Sequence, residues 1–306
     1  MPFYLQRILH QETIAAIDLG SNALRAIIVR RQGNKLHVIK NFREALRLGE
    51  DVFATGSIST KKMLHTEDAF IKLLHIFGAH NVSDVKAVAT SAMRDSKNGP
   101  ELAKKILHTT GIHIETIDGS EEALLIFEAV KKRINFDKKT AVIMDVGGGS
   151  TEIILVNNGV ILGIKSFNIG TVRLLGYKNQ EELEKKISTA VNEIMVFIKT
   201  KIPKKPDLFI GTGGNLRRIG KIRRKILRRD SAEIAMFNEI HHMEEAILSM
   251  SYVDRIRSLE LDQNRADVIL PAIMLTHHLM QKLKVDKINL PKVGLKEGII
   301  LSMVTP

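Results

Sequence analysis

The sequence predicts an α/β fold built from two similar lobes, and three observations support this prediction. Buried β-strand patterns alternate with amphipathic helical patterns, an order typical of α/β proteins. A strand that ends in Asp-x-Gly occurs twice, at Asp18-Leu19-Gly20 and at Asp145-Val146-Gly147, 127 residues apart. Each copy continues into a strand, a glycine turn and a further strand. A repeat at this distance predicts a duplicated lobe with a ligand cleft between the copies, rather than a solenoid.

The first lobe is predicted over residues 1–125. Its three opening strands are separated by the turns around Gly20 and Gly33, and short α/β units follow them. The predicted strands are Thr13–Ile17, Ala23–Arg31, Lys35–Lys40, Val85–Thr90 and Ile112–Ile117, and the predicted helices are 59–77, 99–109 and 121–133.

The second lobe is predicted over residues 126–306 and repeats this order before helical additions. A helical pattern covers most of residues 237–283, and a final helix is predicted from Gly294. The predicted strands are Ala141–Met144, Thr151–Val156, a strand after Gly159, Asp207–Ile210 and Ile288–Leu290, and the predicted helices include 180–201 and one that starts at Asn215.

Composition limits the class of protein. The chain has 306 residues, enough for two domains, and lacks cysteine, which excludes disulfides, thiol nucleophiles and zinc–thiolate sites. It also lacks tryptophan and is only 5% aromatic, so no specific nucleic-acid partner is expected. No apolar run reaches the ~20 residues of a membrane span, and the start lacks a secretory pattern. We therefore expect a cytoplasmic protein with no membrane partner.

Three glycine turns follow predicted strands, at Gly20-Ser21-Asn22, at Gly147-Gly148-Gly149-Ser150 and at Gly211-Thr212-Gly213-Gly214. Glycine lets backbone amides surround an anion without side-chain clashes. One such turn is weak evidence, but three in one chain predict a phosphate-binding protein. None is a Walker A loop, because no lysine follows Ser150 at the position that motif requires.

Acidic residues beside these turns are candidates for a metal site. Asp145 ends a strand, and Glu152 lies on the next strand of the same hairpin, so both carboxylates are predicted to approach one Mg²⁺. For Asp18 alone, an ordinary turn-capping role is the stronger interpretation. Glu122 lies in the first turn of a helix that Ser120 is predicted to cap. An acid there commonly complements the helix dipole, so a functional carboxylate is the weaker interpretation from this feature alone. Arg94 follows a strand end and is either a phosphate clamp or a solvated loop residue.

Positive charge is concentrated in one segment. The net charge is +12, and residues 199–229 contain twelve lysines and arginines but one acid, Asp207. A polyanionic partner is the physical inference. The predicted helix here has an apolar stripe for the core and a basic face on which Arg223 and Arg224 are expected to contact the polyanion.

Two histidine pairs, His241-His242 and His277-His278, suggest metal ligands at first sight. Adjacent helical residues point roughly 100° apart, so a pair cannot easily face one ion. We therefore interpret these histidines as ordinary surface or core residues.

Together, the motifs resemble the exopolyphosphatase / guanosine pentaphosphate phosphohydrolase family. The resemblance runs in order from about residue 13 to residue 301 and matches the short, two-domain form. The segments that carry it are 16–22, 89–95, 119–123, 145–152, 170–173, 211–215 and 294–298.

The resemblance implies an actin-like, sugar-kinase-like fold of two ribonuclease-H-like lobes. It also implies Mg²⁺-dependent hydrolysis of a terminal phosphoanhydride, with Mn²⁺ as an alternative ion. By motif match, Glu122 corresponds to the catalytic carboxylate, and Asp145 and Glu152 correspond to the metal and water site. The positions that match phosphate contacts are Asn22, Arg94, Gly147, Gly148, Ser150 and Thr171; Ser21, Gly213 and Gly214 join them as residues of the glycine turns.

Several functional alternatives stay open at this point. The basic segment favours inorganic polyphosphate over guanosine pentaphosphate as the substrate. A non-catalytic polyphosphate or nucleotide sensor is disfavoured by the intact acidic residues. An actin-like ATPase or sugar kinase is the remaining alternative, and a homodimer is one expected form of assembly.

Overall fold

The computed structural model describes residues 12–177 and 179–305, so the predicted absence of a secretory pattern at the start of the chain concerns residues outside this part. The described chain divides into two compact units. One contains residues 12–117 together with 296–305, and the other contains residues 118–295. Both units are α/β, as the sequence predicts.

The first unit contains a five-stranded mixed sheet in the order β3-β2-β1-β4-β5. Strands β1 to β3 are antiparallel neighbours, whereas β4 and β5 run parallel to β1. The strands are β1 (Glu12–Leu19), β2 (Ala23–Gln32), β3 (Lys35–Ala45), β4 (Asp84–Ala89) and β5 (Ile114–Thr116).

The second unit repeats this arrangement in a six-stranded sheet of order β10-β11-β9-β6-β7-β8. An antiparallel meander of three strands is again joined in parallel to the strand that follows it, here β9 beside β6. The strands are β6 (Thr140–Val146), β7 (Thr151–Asn157), β8 (Val160–Phe167), β9 (Leu208–Thr212), β10 (Ile234–Met236) and β11 (Lys287–Asn289).

Helices cover the apolar faces of both sheets. In the first unit they are α1 (Leu48–Thr55), α2 (Thr60–Ala79), α3 (Ser91–Asp95), α4 (Gly99–Thr110) and, from the end of the chain, α12 (Leu295–Val304). In the second unit they are α5 (Gly119–Lys131), α6 (Gln180–Lys201), α7 (Gly214–Ile226), α8 (Phe237–Ser249), α9 (Tyr252–Leu259), α10 (Gln263–Ala266) and α11 (Ile269–Leu283).

Each unit has its own hydrophobic core. In the first, Phe70 and Leu73 of α2 pack with Ile17 of β1 in one cluster of buried side chains. In the second, Ile187 of α6 and Met274 of α11 belong to the cluster that covers the sheet. No helix within the described ranges combines the length and the apolar character that a bilayer span requires.

The two compact units divide the chain differently from the predicted ranges 1–125 and 126–306. Helix α5 groups with the second unit because it packs against β7 and β8. The last helix groups with the first unit, where Lys296 donates to Asn41 of β3 and Lys86 of β4 lies 3.5 Å from the Ser302 hydroxyl.

Candidate active site

The register of the second sheet places four polar residues in one row across β9, β6, β7 and β8. Thr212 lies opposite Asp145, Asp145 opposite Glu152, and Glu152 opposite Ser166. Directly paired residues on neighbouring strands project from the same face of a sheet. The Thr212 hydroxyl donates to Asp145 Oδ1, and the Ser166 hydroxyl donates to Glu152 Oε1 at 2.8 Å. Both carboxylates are therefore held by their strand neighbours.

Helix α5 brings a third carboxylate, that of Glu122, to this row. Asp118 caps the helix by accepting from the Ser120 amide at 2.7 Å, so the cap lies two residues before the predicted Ser120. Gly119 permits the approach, because a Cβ there would lie 2.4 Å from Ser166 Cβ. Close packing at Gly119 thus sets the distance between Glu122, three residues later, and the sheet.

The three acids form one buried cluster. Carboxylate oxygens of Glu122, Asp145 and Glu152 all lie within 4.8 Å of one another. The residues are 6%, 6% and 0% exposed, respectively. Buried like charges repel, and a cation between them relieves that repulsion. Carboxylate oxygen is the donor that Mg²⁺ prefers, so this set of residues fits a divalent cation of that kind.

The glycine turn between β6 and β7 is fixed by the segment that follows β8. The Thr171 amide donates to the Gly147 carbonyl at 3.1 Å, and Nε of Arg173 donates to the Gly149 carbonyl at 2.8 Å. The Val172 amide binds the Gly148 carbonyl at 2.8 Å. The backbone carbonyls of this glycine turn therefore accept hydrogen bonds from the segment that follows β8. Both Ser150 and Thr171 are buried.

The third glycine turn starts α7 beside the acidic cluster. Gly213 has φ +94°, and a Cβ there would lie 2.7 Å from the Val146 carbonyl and 3.4 Å from Asp145 Oδ1. Glycine alone fits this position. Helix α7 begins at the next residue, Gly214, and its Asn215 donates to Thr171 Oγ1 at 2.8 Å. The helix N-terminus, the preceding glycine turn and Asp145 are thereby held together.

The predicted phosphate contacts of the first unit gather at the ends of two neighbouring parallel strands. Ser21 follows β1, and its hydroxyl lies 2.8 Å from the hydroxyl of Ser91, which follows β4. Asn22 is buried. Arg94 lies on α3 and donates to the Ile117 carbonyl at 2.9 Å. Their predicted role in phosphate binding stays a prediction.

The first unit differs from the second at the equivalent row. Asp18 of β1 lies opposite Arg25 of β2, and Arg25 Nη1 is 3.1 Å from Asp18 Oδ2. Burial raises the pKa of Asp18, and the neighbouring guanidinium opposes that rise. The first copy therefore pairs its aspartate with an arginine, whereas Asp145 faces Glu152. This agrees with the weaker functional interpretation of Asp18 from the sequence.

The structure corrects the expectation for Arg223. It is 7% exposed and gives its Nε and Nη2 to the two carboxylate oxygens of Glu239, at 2.5 and 3.0 Å. Burial raises the pKa of Glu239, but hydrogen bonds, chiefly from Arg223 and the Met236 amide, outweigh it and hold the pKa below its ordinary value. Arg223 is thus committed to the interior and is not available to a polyanion.

A basic cluster remains on α7 beyond its first turn, and we call it the α7 basic cluster. Among the described residues, none of its members pairs with an acidic side chain. Desolvation lowers the pKa of Lys221, and nearby guanidinium groups lower it further. The cluster consists of Arg217, Arg218, Lys221 and Arg224, the last of which is predicted from the sequence to contact a polyanion.

Three residues of the site did not emerge from the sequence. Thr212 belongs to the third glycine turn, so the sequence did indicate that it could lie near the site. Gly119 stands in the motif that includes Glu122. No sequence pattern indicated Ser166, because its contact with Glu152 depends on strand register alone.

A buried carboxylate cluster beside two glycine turns, in the second of two α/β units whose sheets share one strand order at their centre, is typical of a phosphohydrolase. A sequence profile of the Ppx/GppA phosphatase family matches residues 27–306, and the chain belongs to that family. The predicted resemblance and the enzyme class, a phosphoanhydride hydrolase, are thereby confirmed at the level of the family.

Relatives of two kinds match nearly the whole chain. Exopolyphosphatase 2 of Mycobacterium tuberculosis is 25% identical and is matched over 95% of this chain and 98% of its own length. A guanosine-5'-triphosphate,3'-diphosphate pyrophosphatase of Photobacterium profundum is 23% identical over 95% of this chain and 59% of its own. The crystal structure of an exopolyphosphatase from Cytophaga hutchinsonii superposes with a TM-score of 0.88 at 26% identity, covering 95% of this chain and 97% of that one.

Proposed function

We propose that this chain is an exopolyphosphatase that releases orthophosphate from the end of inorganic polyphosphate, with Mg²⁺ as the cofactor. The carboxylate cluster of Glu122, Asp145 and Glu152 carries the proposal. It lies next to a glycine turn and to the N-terminus of α7, two features that favour phosphate. The exopolyphosphatases among the relatives support the choice of substrate.

In the proposed reaction, water attacks the terminal phosphorus, and the bond from that phosphorus to the bridging oxygen breaks. Glu122 orients the water and accepts its proton, while the shortened polymer leaves with the bridging oxygen. Asp145 and Glu152 would hold the Mg²⁺, which would supply positive charge beside the transferring phosphoryl group. Amides of Gly148 and Ser150 and of Gly213 and Gly214 contact phosphate oxygens. The predicted Gly147 shapes this turn instead, because its amide donates to the Ser150 carbonyl at 3.0 Å.

The basic residues that continue from this site favour a long substrate. Helix α7 begins beside Asp145, and Arg224 lies ten residues after Gly214, a distance of roughly 15 Å along a helix. A chain of phosphates that leaves the site along α7 meets Arg217, Lys221 and Arg224 in turn. Each contact releases counterions and adds affinity.

Guanosine pentaphosphate is the second candidate substrate. The relative from Photobacterium profundum carries the name of that activity and matches this chain over 95% of its length. The same acids would serve the reaction, since a terminal phosphoanhydride is broken in both cases. The two candidates differ in how much charge the substrate presents to the α7 basic cluster.

A phosphate-release panel tests the proposal and separates the candidates. Polyphosphates of several lengths, guanosine pentaphosphate, ATP and GTP are compared at equal Mg²⁺. We expect the highest kcat/KM with long polyphosphate. Higher kcat/KM with guanosine pentaphosphate would select the second candidate, and turnover of ATP alone would refute both.

Glu122→Gln tests the assigned base. We expect a loss of roughly 10²–10⁴-fold in kcat, because the amide cannot accept the proton. Glu128→Gln is the matched control, since it makes the same change on an exposed face of α5. An activity for Glu122→Gln within about threefold of the control would remove Glu122 from the mechanism.

A further inference from the structure

A second group of side chains with metal-ligand chemistry lies on α8 and α11 and includes no residue of the candidate active site. One ligand atom from each of Glu244, His277 and His278 lies within 4.8 Å of the other two. The two helices pack directly against each other. The two histidines are adjacent on α11, and Glu244 reaches them from α8.

Two of these groups are buried, and each has one polar atom without an ordinary hydrogen bond among the described residues. Glu244 is 8% and His277 9% exposed. His277 Nδ1 lies 2.5 Å from Glu244 Oε2, yet neither atom makes a hydrogen bond of acceptable geometry among the described residues. Buried polar atoms are seldom left in this condition, because it costs free energy. A cation bound by both atoms would satisfy them.

The packing of α8 against α11 answers the argument from the sequence that two adjacent histidines cannot easily face one metal ion. Two adjacent histidines on one helix project in different directions, so neither pair forms a site alone. A ligand from a neighbouring helix closes the gap, and Glu244 occupies that place. The ring of His241, also from α8, lies with its centroid 5.0 Å from that of His277 and adds an imidazole to the rim.

We propose that Glu244, His277 and His278 bind a divalent transition-metal ion of the Zn²⁺ type. Two imidazoles with one carboxylate form a donor set common in zinc sites, whereas Mg²⁺ prefers oxygen ligands alone. Three protein ligands leave a fourth position for water. The site shares no residue with the carboxylate cluster and does not depend on the proposed function.

The experiment is a Zn²⁺ titration of the untagged, full-length, metal-free protein by competition with a chromophoric chelator. Glu244→Gln and His278→Gln remove one ligand each, and His242→Gln is the matched control on the exposed side of α8. We expect each ligand variant to weaken binding by at least the roughly 10–100-fold that is typical of losing even an outer partner of a metal ligand. The control should bind like the wild type.

Two further measurements guard the interpretation. Glu152→Gln disables the carboxylate cluster and should leave Zn²⁺ affinity unchanged. Co²⁺ added in place of Zn²⁺ should give the visible spectrum of a tetrahedral nitrogen–oxygen site in the wild type and in Glu152→Gln. Equal affinity of Glu244→Gln, His278→Gln and the wild type would overturn the proposal, as would loss of binding in Glu152→Gln alone.

Discussion

Replacing Glu152 by glutamine should stabilise the metal-free protein and at the same time weaken Mg²⁺ binding. Glu152 lies within 4.8 Å of both Glu122 and Asp145. At that separation, two like charges repel by about 3.5 kcal/mol with an effective dielectric constant near 20. The substitution removes two such repulsions, about 7 kcal/mol at most, but it also weakens the contacts that the charged Glu152 makes, such as the hydrogen bond from the Ser166 hydroxyl. We expect the free energy of unfolding to rise by about 2 kcal/mol without metal.

When Mg²⁺ is added, the wild type should become more stable than the Glu152→Gln variant. The wild type gains about 2.7 kcal/mol at a metal concentration 100 times its Kd, while the variant gains less because it has lost one of the two proposed ligands, Asp145 and Glu152. Urea denaturation in chelator and in excess Mg²⁺ measures both effects, and Glu128→Gln on the exposed face of α5 is the charge-matched control. A variant that is less stable than the wild type in chelator, or that gains equally from Mg²⁺, would refute the reasoning.

Three further predictions concern the second unit. Glu239→Gln should lower stability by about 3–5 kcal/mol, because Arg223 becomes a buried unpaired charge, whereas Arg229→Gln on the exposed side of the same carboxylate should cost less than about 1 kcal/mol; equal losses in urea denaturation would contradict this. Since the pKa of Glu239 is lowered, the ionised carboxylate stabilises the folded protein. This stabilisation is complete above the ordinary pKa of glutamate and declines as the pH falls through the lowered value. Gly213→Ala should cost about 1–3 kcal/mol and reduce phosphate release, because φ is +94° there; wild-type melting and activity would disprove it. Arg224→Gln should reduce the salt slope of log KM for long polyphosphate by about one, with no such change for guanosine pentaphosphate.

The strands and the glycine turns could be predicted from the sequence because they depend on local patterns. The repeated Asp-x-Gly and the alternation in β1, β2, β6 and β7 fix these elements within a few residues. The helical stretch after residue 237 was predicted as helix but not its division into α8, α9, α10 and α11. Its breaks depend on local capping, such as Ser251, whose hydroxyl accepts from the Asp254 amide at 3.1 Å.

Features that depend on non-local pairing could not be predicted. A register shift between Leu155 and Val156 interrupts the pairing of β7 with β8, and the register then decides that Ser166 faces Glu152. Arg223 follows the helical pattern of an exposed basic face, but a carboxylate from α8 draws it into the interior. Both outcomes require knowledge of which element packs next to which.

The Asp18–Arg25 pair in the first unit means that the two similar strand pairs balance their buried aspartates in different ways. There the counter-charge of the buried aspartate is part of the polypeptide, so neither dilution nor a chelator can remove it. On the proposed function, the corresponding aspartate in the second unit, Asp145, takes its counter-charge from solution. A chelator should therefore leave the stability of the first unit unchanged and lower the stability of the second, so that one polypeptide would contain a unit that responds to metal beside a unit that does not.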